Sequence, residues 1–275
     1  AAATTTESGL VVTMVGPAHL VELDGIDGVA REKARLLEGV RPGGFAVYPK
    51  SCDGYESFRR LPVRGIAVGF GLRPRSDSIG IVLGGDEAAG EFTLPSPSEG
   101  MASNAALALE LALRLGLPAE TLRARLAGWR PAPGRGEIRR EPGRLLYLDH
   151  YNANPASMDD ALAAFRRLAP EALPRLYVLG GMEELGADED RFHRELGASL
   201  RLRPEDRLFF VGPQGPSVRD GALAAGARPG QIELAASAAG GAALLAAFRG
   251  AILVKGSRRH RLEDAFAATE ASVPC

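Results

Sequence analysis

From Leu145 onward, short apolar runs alternate with segments of helical period, and this alternation limits the possible folds more than any other feature of the chain. The runs LLYL, RLYVLG, RLFFVG and AILVKG are separated by helical segments at 156–168 and 192–202 and by an Ala-rich stretch, and a last helix is expected near 261–268. Such alternation predicts a parallel sheet with helices on both faces. Ligands of such a sheet bind beyond the carboxyl ends of its strands.

The first half of the chain has a different pattern. We expect a strand at 10–15, a helix at about 26–38, short strands at FAVY, GIAVGF, IGIVL and EFTL, and a long helix at 102–115. The pattern indicates a mixed sheet with helices. Pro and Gly in WRPAPGRG, at 129–136, interrupt both helix and strand. The sequence therefore predicts two α/β domains, 1–129 and 130–275.

Composition narrows the classes of partner. The 275 residues include 33 basic and 34 acidic side chains, a balance that gives no electrostatic reason to expect nucleic acid or an anionic membrane. The longest small-apolar stretch, 235–248, is too short to cross a bilayer. Cys52 and Cys275 stand alone, which argues against a disulfide framework or a zinc site and favours a reducing, cytoplasmic setting. We expect a small molecule or another protein as partner.

The segment YLDHYNANPASM, at 147–158, carries the clearest chemical signal. A strand ends just before Asp149, and Asn154 followed by Pro is typical of the start of a helix. This arrangement would direct the carboxylate of Asp149, the amides of Asn152 and Asn154 and a helix N-terminus at one place, which suits ribose hydroxyls and phosphate oxygens. The alternative is an ordinary capped turn.

Two of the three lysines in the chain also attract attention. Lys33 lies on one helical stripe with apolar residues, which predicts an interior lysine with a lowered pKa and a nucleophilic amine; the stripe comprises Ile26, Val29, Leu36, Leu37 and Val40. The alternative is a lysine whose stem packs while its ammonium group reaches water. Lys255 follows the apolar run AILV, so we expect it at the same sheet edge as Asp149.

Several segments, in order along the chain, resemble the motifs of the Mur ligases. The segment at 149–158 is similar to the DxYNANPxSM signature of the branch that adds D-alanyl-D-alanine to UDP-N-acetylmuramoyl-tripeptide. GPAHL at 16–20 resembles the family's metal-binding histidine segment, VAREKARLLEG at 29–39 resembles its carbamylated-lysine helix, and SNAALALELALRLGL at 103–117 resembles its NALAA helix. PGRGE at 133–137 resembles the GR motif, LGGMEELG at 179–186 with His193 resembles the GDMxELG loop and its histidine, and VKGSR at 254–258 resembles the KGSR turn.

The resemblance implies a partial Mur-ligase central domain followed by a Rossmann-like C-terminal domain. It implies an ATP-dependent amide ligase of peptidoglycan precursor synthesis, which activates the carboxylate of a UDP-linked muramoyl peptide as an acyl phosphate for attack by D-alanyl-D-alanine. It also implies residue roles: His19 and carbamylated Lys33 hold Mg²⁺, and Lys255 completes the catalytic set. In the same way, it implies that ATP is bound by Asn104, Arg135, Asp149, Asn152 and Asn154. Glu184 and His193 are weaker candidates.

The chain also departs from the family pattern. No GxxxxGK[ST] phosphate-binding motif occurs in the 275 residues, Gly100 and Met101 stand where the family has His-Asn, and Gly181 replaces the acid of the GDM loop. Without a phosphate-binding loop we expect no complete enzyme, and we expect an upstream segment or a partner chain to cover the central domain. Two alternatives stay open: a non-catalytic Mur-ligase-like binding module, or a related amide ligase with another substrate.

Overall fold

The computed structural model describes residues 9–16, 23–41, 43–84 and 90–266. The chain divides into two compact units, Ala1–Trp129 and Arg130–Cys275, which are called here the N-terminal and C-terminal units. Within the described ranges, no helix is both long and apolar enough to cross a bilayer.

The N-terminal unit contains two three-stranded sheets. The first is parallel, in the order β1-β2-β3, and the second is antiparallel, in the order β4-β5-β6. The strands are β1 (Gly9–Val11), β2 (Phe45–Pro49), β3 (Arg64–Val68), β4 (Phe70–Pro74), β5 (Ile79–Leu83) and β6 (Glu91–Leu94). The helices are α1 (Gly25–Leu37), the single turn α2 (Glu56–Arg59), α3 (Glu99–Arg114) and α4 (Ala119–Ala127).

Helix α1 buries a face that differs in part from the predicted stripe. Val29 and Leu37 are buried as expected, but Leu36 is 65% exposed and Ile26 is 36% exposed. The remaining buried positions are small, because Ala30 and Ala34 bring the helix close to β2 and its neighbours. The predicted interior position of Lys33 is therefore wrong: its side chain is half-buried, at the border of the buried face.

The C-terminal unit is built on one six-stranded sheet, in the order β11-β10-β9-β12-β8-β7. All neighbouring strands are parallel except β7, which pairs antiparallel with β8 at one edge. The strands are β7 (Glu137–Glu141), β8 (Arg144–Asp149), β9 (Arg175–Gly180), β10 (Arg207–Val211), β11 (Ile232–Ala235) and β12 (Gly250–Lys255). The helices are α5 (Pro155–Leu168), α6 (Glu189–Leu200), α7 (Gly215–Ala224) and α8 (Ala242–Ala247).

Apolar side chains cover both faces of this sheet. One face packs against α5, α6 and α7, and the other packs against α8 and the segment after β12. Helices α6 and α7 cross closely at Gly197 and Gly221, where a methyl group on either glycine would overlap the backbone of the other helix. The prediction of a parallel α/β unit with helices on both faces is confirmed.

Two strands of the C-terminal unit were absent from the sequence prediction. β7 has the sequence EIRRE, whose charges hide its strand character. β11 spans only four residues at the start of the Ala-rich stretch. The expected last helix begins at residue 264, and residues beyond 266 lie outside the described ranges.

Candidate functional site

The carboxyl edge of the six-stranded sheet brings Asp149 and Lys255 together. Asp149 ends β8 and Lys255 ends β12, and the two residues are directly paired in the parallel register of these strands. The ammonium nitrogen of Lys255 lies 2.9 Å from Asp149 Oδ2. The expectation that both residues share one sheet edge agrees with this geometry.

Lys255 is held by oxygens on several sides. Its side chain is 1% exposed, and Nζ also donates to the backbone carbonyl of Asn152 at 2.7 Å and to that of Asp149 at 3.3 Å. Burial raises the pKa of Asp149, and the neighbouring Lys255 opposes this shift. Because all three N–H groups have acceptors, the lysine fixes Asp149 and the loop that follows it.

The amides of Asn152 and Asn154 are engaged locally. Asn152 Oδ1 accepts from the backbone N–H of Ala153 at 2.9 Å, and Asn154 Oδ1 accepts from that of Ser157 at 2.8 Å. The hydroxyl of Ser157 bonds back to the backbone N–H of Asn154, which completes a capping box at the start of α5. The geometry here is that of the capped turn, with both carbonyl oxygens in use.

Arg135 lies against an aromatic ring at the same edge. Its guanidinium carbon is 3.8 Å from the centroid of the Tyr151 ring, and both side chains are exposed. The loop is held in place because Gly136 N–H donates to the carbonyl of Leu148 and Tyr151 N–H donates to that of Gly134. Arg135 and Tyr151 thus form an exposed cationic and aromatic surface, and Tyr151 follows Asp149 by two residues in the sequence. Tyr151 was not singled out from the sequence.

The loop GGMEELG after β9 is fixed by His193. This histidine is fully buried: Nε2 accepts from the backbone N–H of Met182 at 2.9 Å, and Nδ1 lies 2.8 Å from the carbonyl oxygen of Glu189. Both ring nitrogens thus have a hydrogen-bond partner, because Nε2 accepts and Nδ1 faces a carbonyl oxygen that can only accept. Glu184 is exposed, with a left-handed backbone (φ 62°).

Neighbouring charged residues also reach this loop. Glu183 lies 3.3 Å from the Nε2 atom of His260 and 3.2 Å from the guanidinium of Arg259. Burial is the largest influence on His260 and lowers its pKa, while the carboxylate of Glu183 opposes the shift. Glu183 and His260 are not among the site residues predicted from the sequence. For Glu183 the available signal was an acid two residues after Gly181, which replaces the acid of the GDM motif.

Lys33 lies in the N-terminal unit. Its Nζ donates to the carbonyl of Met14 at 2.6 Å, and burial lowers its pKa while the nearby Cys52 opposes that shift. The predicted partner His19 lies outside the described residues. Across the described ranges, no cluster of three or more His, Cys, Asp or Glu side chains could hold a metal ion. Asn104 is exposed on α3.

Comparison with known proteins gives a family. Residues 134–258 match the Mur ligase, glutamate ligase domain. The chain is 28% identical over 221 residues to the UDP-N-acetylmuramoyl-tripeptide--D-alanyl-D-alanine ligase of Bacillus subtilis, and this match covers 78% of the chain and 48% of that protein. It is 30% identical over 210 residues to the UDP-N-acetylmuramoylalanine--D-glutamate ligase of Rubrobacter xylanophilus, covering 75% of the chain and 44% of that protein.

Solved structures share the fold. MurF from Acinetobacter baumannii superimposes with a TM-score of 0.78 at 23% identity, over 96% of this chain and 60% of that one. MurF ligase from Thermotoga maritima in complex with ADP gives 0.75 at 21% identity, over 96% and 61%. The chain spans about half the length of the curated relatives it matches. Residues 134–258 therefore form a Mur ligase, glutamate ligase domain within the C-terminal unit, and the chain as a whole resembles part of a Mur ligase in sequence and in fold.

Proposed function

We propose that the protein acts in an ATP-dependent amide ligase that adds D-alanyl-D-alanine to UDP-N-acetylmuramoyl-tripeptide. The observation that carries the proposal is the ion pair between buried Lys255 and partly buried Asp149, beside the Arg135–Tyr151 surface and inside the matched domain. The relatives that are named as D-alanyl-D-alanine ligases support this substrate, and the neighbour in complex with ADP supports a nucleotide.

The described residues fit a nucleotide at the sheet edge. Asp149 keeps one carboxylate oxygen beyond the one paired with Lys255, and that oxygen can accept from a ribose hydroxyl. The exposed guanidinium of Arg135 and the ring of Tyr151 offer charge to a phosphate or a flat face to a base. Lys255 acts as a positioning residue, because its Nζ already donates to Asp149 and to the loop that follows Asp149. When bound, ATP supplies the phosphoryl group that activates the peptide carboxylate.

Lys33 fits the role of a magnesium ligand after carbamylation. Its lowered pKa increases the fraction of neutral amine, which attacks the carbon of CO₂, forms an N–C bond and releases a proton to solvent. The resulting carbamate carries the negative charge that Mg²⁺ prefers among its ligands. Incubation with ¹³C-bicarbonate should give a carbamate carbon signal that is lost in Lys33→Arg.

The test of the ligase is phosphate release. The protein, and any longer product encoded with residues before Ala1, is incubated with ATP, Mg²⁺, the UDP-linked tripeptide and D-alanyl-D-alanine. We expect phosphate release that requires the dipeptide. Its absence from the longest product, while nucleotide binding persists, would favour the alternative of a non-catalytic binding module. That alternative is motivated by the missing GxxxxGK[ST] motif and by Gly100, Met101 and Gly181.

A panel of amines in the same assay separates the remaining alternative. If another amino acid or peptide stimulates phosphate release and D-alanyl-D-alanine does not, the protein is a related amide ligase with a different substrate.

A further inference from the structure

Residues 257–264, called here the strap, follow β12 at the carboxyl edge of the sheet in the C-terminal unit. Because β12 lies between β8 and β9, the strap begins between the loops that follow these two strands. A histidine–carboxylate contact joins it to each loop. On the β8 side, His150 Nδ1 lies 3.6 Å from Glu263 Oε2. On the β9 side, His260 Nε2 lies 3.3 Å from Glu183 Oε1, so the strap supplies the acid of one contact and the histidine of the other.

Both contacts are shielded from water. The side chain of His150 is 14% exposed and that of His260 is 8% exposed. The atoms His150 Nδ1, His260 Nε2 and Glu263 Oε2 are buried, and none of them makes a hydrogen bond of acceptable geometry to a described residue. A Cβ atom on Gly134 would lie 3.1 Å from Cε1 of the first ring, and one on Gly180 would lie 3.1 Å from Cδ2 of the second. A charged imidazole at either place would lack the water that solvates it in the open.

The charges around His150 favour its neutral form. Burial is the largest influence and lowers the pKa of His150 below its ordinary value of 6.5. Arg258 on the strap also lowers this pKa, while Glu263 and Asp149 raise it without reversing the shift. Arg258 forms an ion pair with Glu263, so the carboxylate nearest to His150 already has a cation beside it.

The surroundings of His260 have the same effect. Burial is again the largest influence and lowers the pKa of His260, and Arg259 and His193 lower it further. Glu183 opposes the shift, but Arg259 lies 3.2 Å from the same carboxylate. In the closed strap both histidines therefore stay neutral to a lower pH than histidines in water do.

The backbone of the strap depends on contacts on both sides of Arg261. This residue has a left-handed conformation, with φ 46° and ψ 51°, which is unfavourable for a residue that carries a side chain. His260 precedes it, and the fully buried Leu262 and then Glu263 follow it. These neighbours hold an unfavourable backbone in place, and release of the strap lets Arg261 return to a right-handed conformation.

The resemblance to the Mur ligases does not account for the two contacts. His150 occupies the variable position of the DxYNANPxSM signature, and Glu183 occupies the variable position of the GDMxELG loop. Their partners, Glu263 and His260, come after the KGSR turn. Each contact therefore uses a residue that the motifs leave free to vary.

We propose that the strap is an acid-released device, which the two histidine–carboxylate contacts keep closed while both histidines are neutral. When the strap opens and a ring reaches water, the histidine regains its ordinary affinity for a proton, so a fall in pH favours the open form. Ligands of parallel α/β sheets bind at the edge that the strap occupies, so its release loosens a binding edge. The argument uses the contacts alone and does not depend on the proposed function.

The size of the effect follows from the titration of histidine. A histidine in water is about nine-tenths protonated at pH 5.5 and about one-tenth protonated at pH 7.5. If the closed strap keeps a histidine neutral, that histidine favours opening by up to about tenfold between these two pH values. The two histidines together can favour opening by up to about a hundredfold.

Hydrogen exchange of the whole chain at about pH 7.5 and pH 5.5 tests the strap. Protection factors, which correct for the effect of pH on intrinsic exchange, are compared for peptides that cover the strap and α7. The backbone N–H groups of His260, Arg261 and Asp264 donate to carbonyls within the strap, so their exchange reports its opening. We expect protection of the strap to fall at the lower pH by about tenfold or more relative to α7, which contains no histidine.

Two variants separate the contacts. His150→Gln and His260→Gln keep polar atoms and do not titrate in this range, so each should reduce the pH response by up to about tenfold, and the double variant should remove it. Arg259→Gln is the control, because it removes an exposed ion pair between the strap and Glu183 and leaves both histidines. It should keep the ratio of protection at the two pH values within about threefold of the parent. If one histidine variant does not unfold cooperatively, the response of the parent and the other variant decide.

Four outcomes would overturn the proposal. Protection of the strap could stay unchanged relative to α7, or α7 could lose protection equally, which would indicate global unfolding. Protection could rise toward pH 5.5, which would mean that protonated histidines bind their carboxylates and close the strap. Finally, the double variant could retain the full response, which would assign the response to another group.

Discussion

The two units place their lysines in opposite circumstances. Lys255 in the C-terminal unit is fully buried and donates to three oxygens, whereas Lys33 in the N-terminal unit is half-buried and donates to one backbone carbonyl. The first lysine is therefore held in one position by its partners. The second has a lowered pKa and few partners, which leaves its amine available for reaction. A lysine held by many acceptors supports structure, and one held by few can react.

The strongest test of this comparison is removal of each lysine. Lys255→Met leaves Asp149 without its charged partner at a buried sheet edge and should destabilise the C-terminal unit by about 3–5 kcal/mol. Lys33→Met removes one hydrogen bond at a half-buried position and should cost about 1 kcal/mol or less. Urea unfolding combined with hydrogen exchange, measured in peptides from each unit, checks both values. Equal losses would show that burial does not distinguish the two lysines.

The close helix crossing gives the next largest effect. Gly221→Ala places a methyl group against the backbone of α6 and should destabilise the C-terminal unit by about 1–3 kcal/mol. Gly71→Ala in the N-terminal unit, where a Cβ would meet no atom within 4 Å, should change stability by less than about 0.5 kcal/mol. Thermal unfolding of both variants measures the difference. If Gly221→Ala leaves the stability of the C-terminal unit unchanged, α6 and α7 can move apart without loss of stability.

Helix caps should affect the two units about equally. Asn154 caps α5 in the C-terminal unit and Ser98 caps α3 in the N-terminal unit, each through a side-chain oxygen that accepts a backbone N–H. Asn154→Ala and Ser98→Ala should each cost about 1 kcal/mol. Hydrogen exchange in the first turn of each helix is the measurement. If ATP binding falls with Asn154→Ala and not with Ser98→Ala, the Asn154 side chain also serves the ligand.

The smallest expected effect is a dependence of stability on pH. Burial holds the pKa of His260 below its ordinary value of 6.5, so the unfolded chain takes up a proton before the folded chain does as the pH falls. The C-terminal unit should therefore lose stability as the pH falls below about 6.5, and His260→Gln should lose less. Unfolding free energies of parent and variant at about pH 7.5 and pH 5.5 give the difference. If His260→Gln loses more stability than the parent between these two pH values, the inferred direction of the His260 pKa shift is wrong.

The sequence predicted the parts of the fold in which one residue type dominates. The apolar runs that became β8, β9, β10 and β12 were visible because a strand covered on both faces is continuously apolar. The edge strand β7 was missed because its residues are charged. The apolar stripe of α1 was predicted in part: periodicity gives the face of a helix, but only neighbouring elements decide whether Leu36 is covered.

The candidate site was predicted unevenly for a similar reason. The shared edge of Asp149 and Lys255 follows from the ends of two parallel strands, which sequence can locate. Other contacts depend on loops that pack against one another, and no spacing along the chain predicts them. Examples are the contact of Arg135 with Tyr151 and the packing of Gln214 and His260 against Gly181. The ends of strands are therefore visible in the sequence, whereas contacts between loops become visible only in the fold.

The charged strand β7 has a consequence for the protein in concentrated solution. A sheet edge with unpaired N–H and C=O groups is a template for another chain, and charged side chains on an edge strand oppose such pairing. With the sequence EIRRE on one side and the four-residue β11 on the other, the sheet of the C-terminal unit has little edge to offer a second copy. Replacement of Arg139 and Arg140 by Val would leave an uncharged edge centre and should promote aggregation through β-strand addition.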